Sequence, residues 1–167
     1  METPGSAERA AIRAVHRAAF GRVDEADLVD RLREDRYAIV SLVAFVDARV
    51  AGHVLFSRMW IERASGRIDA VALAPVAVLP EYQRRGIGAH LIEQGLNSLR
   101  TLGERIVIVL GDPDYYLRFG FSRDKAARLA SPFPKEALMA MELVPRALNG
   151  IEGRVVYPQP FGIPGAR

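Results

Sequence analysis

The chain has 167 residues, a formal net charge of +3, 26% charged residues and no cysteine. That length suits one domain burying about 65–70% of its unfolded surface without staples, and the missing thiols exclude disulfides, thiolate metal sites and a cysteine nucleophile. Arginine alternates with acid, as in Arg31-Leu32-Arg33-Glu34-Asp35-Arg36, so the charge describes a solvated face and no nucleic-acid stripe. The N-terminus lacks a basic and an apolar leader region, and no apolar run approaches the ~18 residues of a membrane span, so a soluble, cytoplasmic protein without a membrane partner is expected.

Ser6 is expected to cap a first helix with Ile12, Val15, Ala19 and Phe20 at helical spacing and Gly21 as its stop. Asp24 caps a second helix, whose buried stripe is Leu28, Val29 and Leu32. Tyr37 to Val46, a turn at Asp47-Ala48-Arg49 and Val50 to Ser57 read as an antiparallel hairpin, with Met59 to Glu62 continuing past a bend. After a turn at Ala64-Ser65-Gly66-Arg67, Ile68 to Leu79 is a long apolar strand interrupted by Pro75, which predicts a bulge or a stop in pairing.

The next segment, Val76-Ala77-Val78-Leu79-Pro80-Glu81-Tyr82-Gln83-Arg84-Arg85-Gly86-Ile87-Gly88, leads from that strand through a proline turn into a basic, glycine-punctuated loop. A helix follows from about Gly86 to Leu102, with Ile87, Leu91, Ile92, Leu96 and Leu99 on one face and Gly103 at its end. Two arginines, glycine-freed N–H groups and a helix N-terminus make this loop a phosphate site. A P-loop would need a Gly-Lys-Ser/Thr ending, and a Rossmann fingerprint a third glycine or alanine where Leu91 stands. Arg105 to Leu110 is apolar enough for a strand buried on both faces, so strand, helix and strand form a right-handed parallel crossover in a mixed sheet. Gly111-Asp112-Pro113 opens a short aromatic helix closed by Gly120. Strands are then expected from Phe121, at Leu138 to Leu143 and, more weakly, at Val155 to Tyr157.

Gln83-Arg84-Arg85-Gly86-Ile87-Gly88 resembles the Q/R-x-x-G-x-G/A signature of the GNAT superfamily of acyl-CoA-dependent N-acetyltransferases, placed between that family's fourth strand and third helix. Tyr116-Leu117-Arg118-Phe119-Gly120-Phe121 is similar to its second motif, Y-x-x-x-G-F, and the run G-D-P-D-Y-Y-L-R-F-G-F resembles a bacterial, mostly uncharacterised branch. The resemblance implies a single α/β domain over residues 1–167. It also implies a three-layer fold whose sheet is mixed and mostly antiparallel, with one parallel crossover and splayed central strands. It implies that backbone N–H groups of Gln83, Arg84, Arg85, Gly86, Ile87 and Gly88 hold the pyrophosphate of acetyl-CoA, and that Val76, Ala77 and Val78 offer an edge to the pantetheine arm. An N–H near Val78 would stabilise the oxyanion, Tyr116 would protonate the leaving thiolate with Tyr115 as its rival, and no metal takes part. Glu62, His53 and Asp112 are candidates for the base.

The implied activity is direct transfer of acetyl to a small-molecule or peptide amine; the competing class is a non-catalytic acyl-CoA binder. A homodimer is a habit of the family. Two departures matter: Met1 to Ser6 is too short and polar for the family's N-terminal strand, and Gly111-Asp112-Pro113 replaces the asparagine that often opens the second-motif helix. The Pro- and Gly-rich tail from Pro158 to Arg167 is available to close a pocket or mediate self-association.

Overall fold

The computed structural model describes residues 5–163. The elements are helices α1 (Ser6–Phe20) and α2 (Asp24–Glu34), strands β1 (Ala38–Val46), β2 (Arg49–Arg63) and β3 (Gly66–Val78), helix α3 (Ile87–Thr101), strand β4 (Ile106–Leu110), helix α4 (Pro113–Tyr116), and strands β5 (Leu129–Ala130), β6 (Leu138–Glu142) and β7 (Gly153–Val156). One mixed sheet has the order β5-β7-β2-β3-β4-β6, with β1 also on β2. The expected crossover is present: β3 and β4, separated by α3, are parallel, with Val71 opposite Val107 and Ala72 opposite Ile108. The architecture is the α/β fold expected.

The chain forms two compact units, one made of residues up to Phe56 with Ala74–Ser98, the other of Ser57–Leu73 with the chain from Leu99 onward. Strands β2 and β3 contribute to both.

In the first unit, α1 ends where Gly21 adopts a φ of 71° and returns its N–H to Arg17 O. Gly5 and not Ser6 is the cap, and Val23 and not Asp24 caps α2, so both acidic or polar residues sit inside their helices. Asp24, Glu25 and Asp27 then favour the positive end of α2 through the helix dipole. The β1–β2 hairpin closes on two residues, Asp47 and Ala48, at φ of 49° and 63°; two positive φ values match the right-handed twist of the strands. From Ala51 to Ser57 every residue of β2 is buried. Gly52 and Phe56 meet α3, and His53 meets α1.

The second unit centres on Met59, Ile61, Ala70, Ala72, Ile106, Ile108, Leu138, Ala140 and Val155. β4 lies antiparallel to β6 along its whole length, from Ile106 opposite Glu142 to Leu110 opposite Leu138. Arg58 enters this unit as a charge, and Glu104 takes its Nη1 at 3.0 Å and also bonds Nη2, while Ala70 O accepts at 3.1 Å. Tyr157 packs between Phe133 and Phe161, with ring centroids 6.1 and 5.2 Å away. Part of the proline-rich tail is thus core; Pro164–Arg167, like Met1–Pro4 of the N-terminal expectation, lies outside the described residues.

Two local expectations are corrected, and one strand is additional. Phe121 is buried but begins no strand; only Ser122 bridges to Ala140, and the chain turns away after Asp124. β5 was not foreseen, being two residues that pair parallel with Gly153 and Arg154 of β7. β3 runs through Pro75 as one strand, and the Ala74–Pro75 peptide is cis.

Gly95 inside α3 has a packing reason. A β-carbon there would stand 2.1 Å from Phe56 Cε2 and 2.6 Å from its Cζ. Helix propensity alone predicts a gain of about 1 kcal/mol for Gly95→Ala, whereas overpacking costs roughly 1–3 kcal/mol. Urea unfolding should show Gly95→Ala destabilised, and a stabilised variant would show that Phe56 swings away freely.

Candidate functional site

The basic loop is built by the packing of α3. Gly52 of β2 lies so close to that helix that a β-carbon would sit 3.1 Å from Leu91 Cδ1, 3.2 Å from Ile87 Cγ2 and 3.2 Å from Ala77 O. The first turn of α3 is thereby seated on β2 and the end of β3. Leu79 N–H donates to Ala51 O at 2.8 Å, closing the same corner. The apolar underside of the turn is Val15, Ala77 and Leu79, with Ala19, Val50 and Tyr82 against them.

Above that corner Gln83 to Gly86 is exposed. His90 N–H bonds to Gly86 O at 2.9 Å, so Gly86 caps the helix, and the N–H groups of Ile87, Gly88 and Ala89 have no intrahelical acceptor. Arg84 and Gly86 have φ of 64° and 82°, a positive value on either side of Arg85. Such alternation turns successive N–H groups toward one point and forms an anion nest. Arg84 bears a strain of order 1 kcal/mol there that glycine would avoid. A β-carbon built on Gly86 meets nothing within 4 Å, so no protein atom fills the cradle at that point.

The loop's side chains divide. Gln83 Nε2 donates to Val78 O at 3.0 Å and its N–H donates to Pro80 O at 3.3 Å, so Gln83 braces the loop against the end of β3 with both groups. Arg85 lies over the Tyr82 ring at 5.6 Å, and Arg49 pairs with Glu81 at 3.0 Å just before the loop. With its N–H donors, helix dipole and two arginines, the loop suits a doubly charged pyrophosphate.

In the other unit, Asp112 opens α4 by accepting a bond from Asp114 N–H at 3.0 Å. The Tyr116 ring then lies flat against Gly111, where a β-carbon would be 2.4 Å from Cε2. Tyr115, Phe119 and Phe121 surround it at centroid distances of 5.1, 6.3 and 5.9 Å. Burial, aided by the neighbouring Tyr115, pushes the phenol up to about 12. Tyr115 instead carries Arg118 stacked 4.6 Å over its ring. Sequence reasoning named Tyr116 but missed Gly111, which read only as a strand terminator.

The three base candidates have other duties. Asp112 is the cap of α4. Glu62 faces Arg154 across the β2–β7 ladder and pairs with it at 3.1 Å. His53 is 0% exposed and bonded on both nitrogens, to His16 Nε2 at 2.8 Å and to Ser41 Oγ at 2.8 Å. Among the described residues no cluster could hold a metal, and no helix is long and apolar enough to cross a membrane.

Comparison with known proteins bears on the same elements. The family model described as "Acetyltransferase (GNAT) domain" matches residues 3–123. YjhQ, an uncharacterised N-acetyltransferase of Escherichia coli K12, is 42% identical over 133 residues, 75% of this chain and 72% of that protein. YhbS of the same strain, also an uncharacterised N-acetyltransferase, is 37% identical over 153 residues, 90% of each chain. The crystal structure of E. coli YhbS in complex with CoA superposes with a TM-score of 0.87 at 35% identity, covering 99% of this chain and 91% of that one. A GNAT family acetyltransferase from Brucella melitensis in complex with acetyl-CoA gives 0.78 at 34% identity, covering 96% of each.

The buried His16–His53 pair has a measurable signature. Burial lowers both imidazoles, His16 to about 4. A histidine held neutral by the fold stabilises it fully above its unfolded value near 6.5, and that contribution is lost as pH falls toward 4. For His16 the linkage is on the order of 3 kcal/mol. Urea unfolding between pH 7 and 4 should show this loss, and a His16→Leu variant should flatten it; an unchanged slope would place the acid loss elsewhere.

Proposed function

The chain belongs to the GNAT acetyltransferase family and is an acetyl-CoA-dependent acyltransferase, and on that premise we propose that it acetylates an amine by direct attack on the thioester, with Tyr116 as the proton donor. The observation that carries the reading is the exposed basic loop at the start of α3, with positive φ at Arg84 and Gly86 on either side of Arg85 and open space at Gly86. Backbone N–H groups from Arg84 to Gly88 hold the pyrophosphate, Gln83 braces the loop beneath them, and Arg84 and Arg85 neutralise its charge. Val76, Ala77 and Val78 offer main-chain groups to the pantetheine arm. Bound acetyl-CoA supplies the acetyl group activated as a thioester.

The N–H near Val78 is the donor for the oxyanion, worth about 3 kcal/mol by comparison with other such donors. Tyr116, with its pKa raised to about 12, holds its proton at every physiological pH and gives it to the departing sulfur. Since Glu62, His53 and Asp112 are each committed to another group, the acceptor reacts from its own uncharged fraction and loses its proton to water. The protein works in the cytoplasm in this reading.

Tyr116→Phe separates turnover from binding. CoA binding should survive while transfer falls at least about tenfold, the lower end of what positioned acids contribute; undiminished turnover would remove Tyr116 as the donor. Arg85→Glu should act on binding, weakening the acetyl-CoA thermal shift. The pH profile carries a sign as well. kcat/KM should climb as the acceptor deprotonates and should not fall below pH 10, because the raised phenol keeps its proton; an alkaline limb near pH 8 would point to a different acid.

A further inference from the structure

The two N-terminal helices carry arginines of two kinds. Arg13 of α1 pairs with Asp27 at 2.8 Å and Asp30 at 2.5 Å, and Arg22 holds Glu25 at 2.6 Å. Arg33, half-buried near the end of α2, has no carboxylate within 4 Å among the described residues. Its Nη2 donates to Ser41 Oγ at 2.7 Å and lies 3.3 Å from His53 Nε2. Its Nη1 is buried with no partner. On α1, Arg9 also leaves a buried Nε without a partner.

Arg33 Nη2, a donor, lies 3.3 Å from His53 Nε2, which favours an unprotonated Nε2 and so one arrangement of protons along this group. A guanidinium can only donate, so Ser41 Oγ accepts from Arg33 and gives its own proton to His53 Nε2. His53 then carries its proton on Nδ1 and donates to His16 Nε2. Every neutral partner is spent holding one nitrogen of Arg33, and among the described residues no carboxylate pairs with it. An unpaired buried donor costs about 1–3 kcal/mol, more when charged. Arg9 adds repulsion to Arg33; Asp30 attracts it but is bonded to Arg13, and Glu8 acts more weakly still. A purely structural arginine on these helices takes a carboxylate, as Arg13 and Arg22 do. Arg33 is held in place with a donor to spare.

We propose that Arg33, assisted by Arg9, recognises a carboxylate on the acceptor, so that the substrate is an amino acid type of amine carrying both groups and not a polyamine. This rests on the acetyltransferase reading. It adds that two guanidiniums repel a polycation and attract an amino-carboxylate. The subsite belongs to the same compact unit as the phosphate loop.

The test is CoA thiol release with matched acceptors, each amino acid beside the amine left by its decarboxylation, such as lysine and cadaverine. The wild type should show kcat/KM at least about tenfold higher for the carboxylated partner, the scale of one charged hydrogen bond. Arg33→Gln should bring that ratio toward one, chiefly through KM, and Arg33→Lys should restore part of it. A preference for the decarboxylated amines, or a ratio that Arg33→Gln leaves intact, overturns the proposal. A second readout is independent of turnover: succinate should raise the Tm of CoA-loaded wild type and leave that of Arg33→Gln unmoved. If Arg33→Gln does not fold, Arg9→Gln should reduce the same shift. Should no amine be acetylated, the reaction reading fails while the succinate shift still decides the subsite: an Arg33-dependent shift supports it and its absence sinks it.

Discussion

The contact between α3 and β2 sets the position of the basic loop and of the N-terminus of α3. It works by exchanging volume. On β2, Gly52 is small where α3 presents Ile87 and Leu91, and Phe56 is large where α3 presents Gly95. Ile87, Leu91 and Gly95 span eight residues of helix, about 12 Å at 1.5 Å per residue. Gly52 to Phe56 spans four residues of strand, about 13 Å at 3.3 Å per residue. The two stripes are therefore commensurate, and two opposite complementarities along them leave the helix little freedom to slide. Its N-terminus, and so the set of N–H groups from Ile87 to Ala89 without an intrahelical acceptor, is placed by hydrocarbon packing a turn or more away.

The same strand explains the polar cluster beneath α1. Because β2 is buried on both faces from Ala51 to Ser57, a polar residue in that stretch cannot reach water and is costly unless it finds partners inside. His53 does so through His16 and Ser41, and Arg33 completes the line from α2. Apolar packing on one face and a directed hydrogen-bond chain on the other thus tie α1, α2 and α3 to one strand. Removing one member of the chain strands the others, which makes this cluster more sensitive to truncation than its net contribution suggests.

The elements with strong periodicity were legible. The stripes of α1, α2 and α3, the run Ile106 to Leu110 and the glycine stops at Gly21, Gly103 and Gly120 all gave their elements to within a residue or two. So were the exposed turn leading into α3 and the short helix after Pro113, because glycine, proline and charge act locally there. What escaped notice depends on distant neighbours. Gly52 and Gly111 look like neutral glycines until Ile87 and Tyr116 are brought against them. The cap of α1 went to Gly5 although Ser6 has the better side chain, and β5 exists because β7 offers it an edge. His16 sits on the apolar face of α1 and reads as an exception to the stripe until His53 supplies its partner. Arg33 lies in a run of alternating charge, where nothing local separates a solvated arginine from a buried one.

The burial of Tyr116 has two consequences that oppose each other. Raised to about 12, the phenol never loses its proton at working pH, so the donor is always loaded. It is also a weaker acid: against a thiol of ordinary pKa near 8.5, full transfer to the thiolate is uphill by about 3.5 units, or roughly 5 kcal/mol. The resolution lies in the same apolar wall of Tyr115, Phe119 and Phe121 that shields the hydroxyl. In the proposed reaction a thiolate that met this hydroxyl would lose hydration too, and desolvation would raise its basicity as it raises the phenol's. The gap would close because both groups shared the environment, and the hydrogen bond from Tyr116 would strengthen as sulfur became anionic. A more exposed tyrosine, with a lower pKa, would be the stronger acid in water and would face a better hydrated, less basic sulfur. On that proposal the packing of Tyr116 onto Gly111 is part of the acid's chemistry.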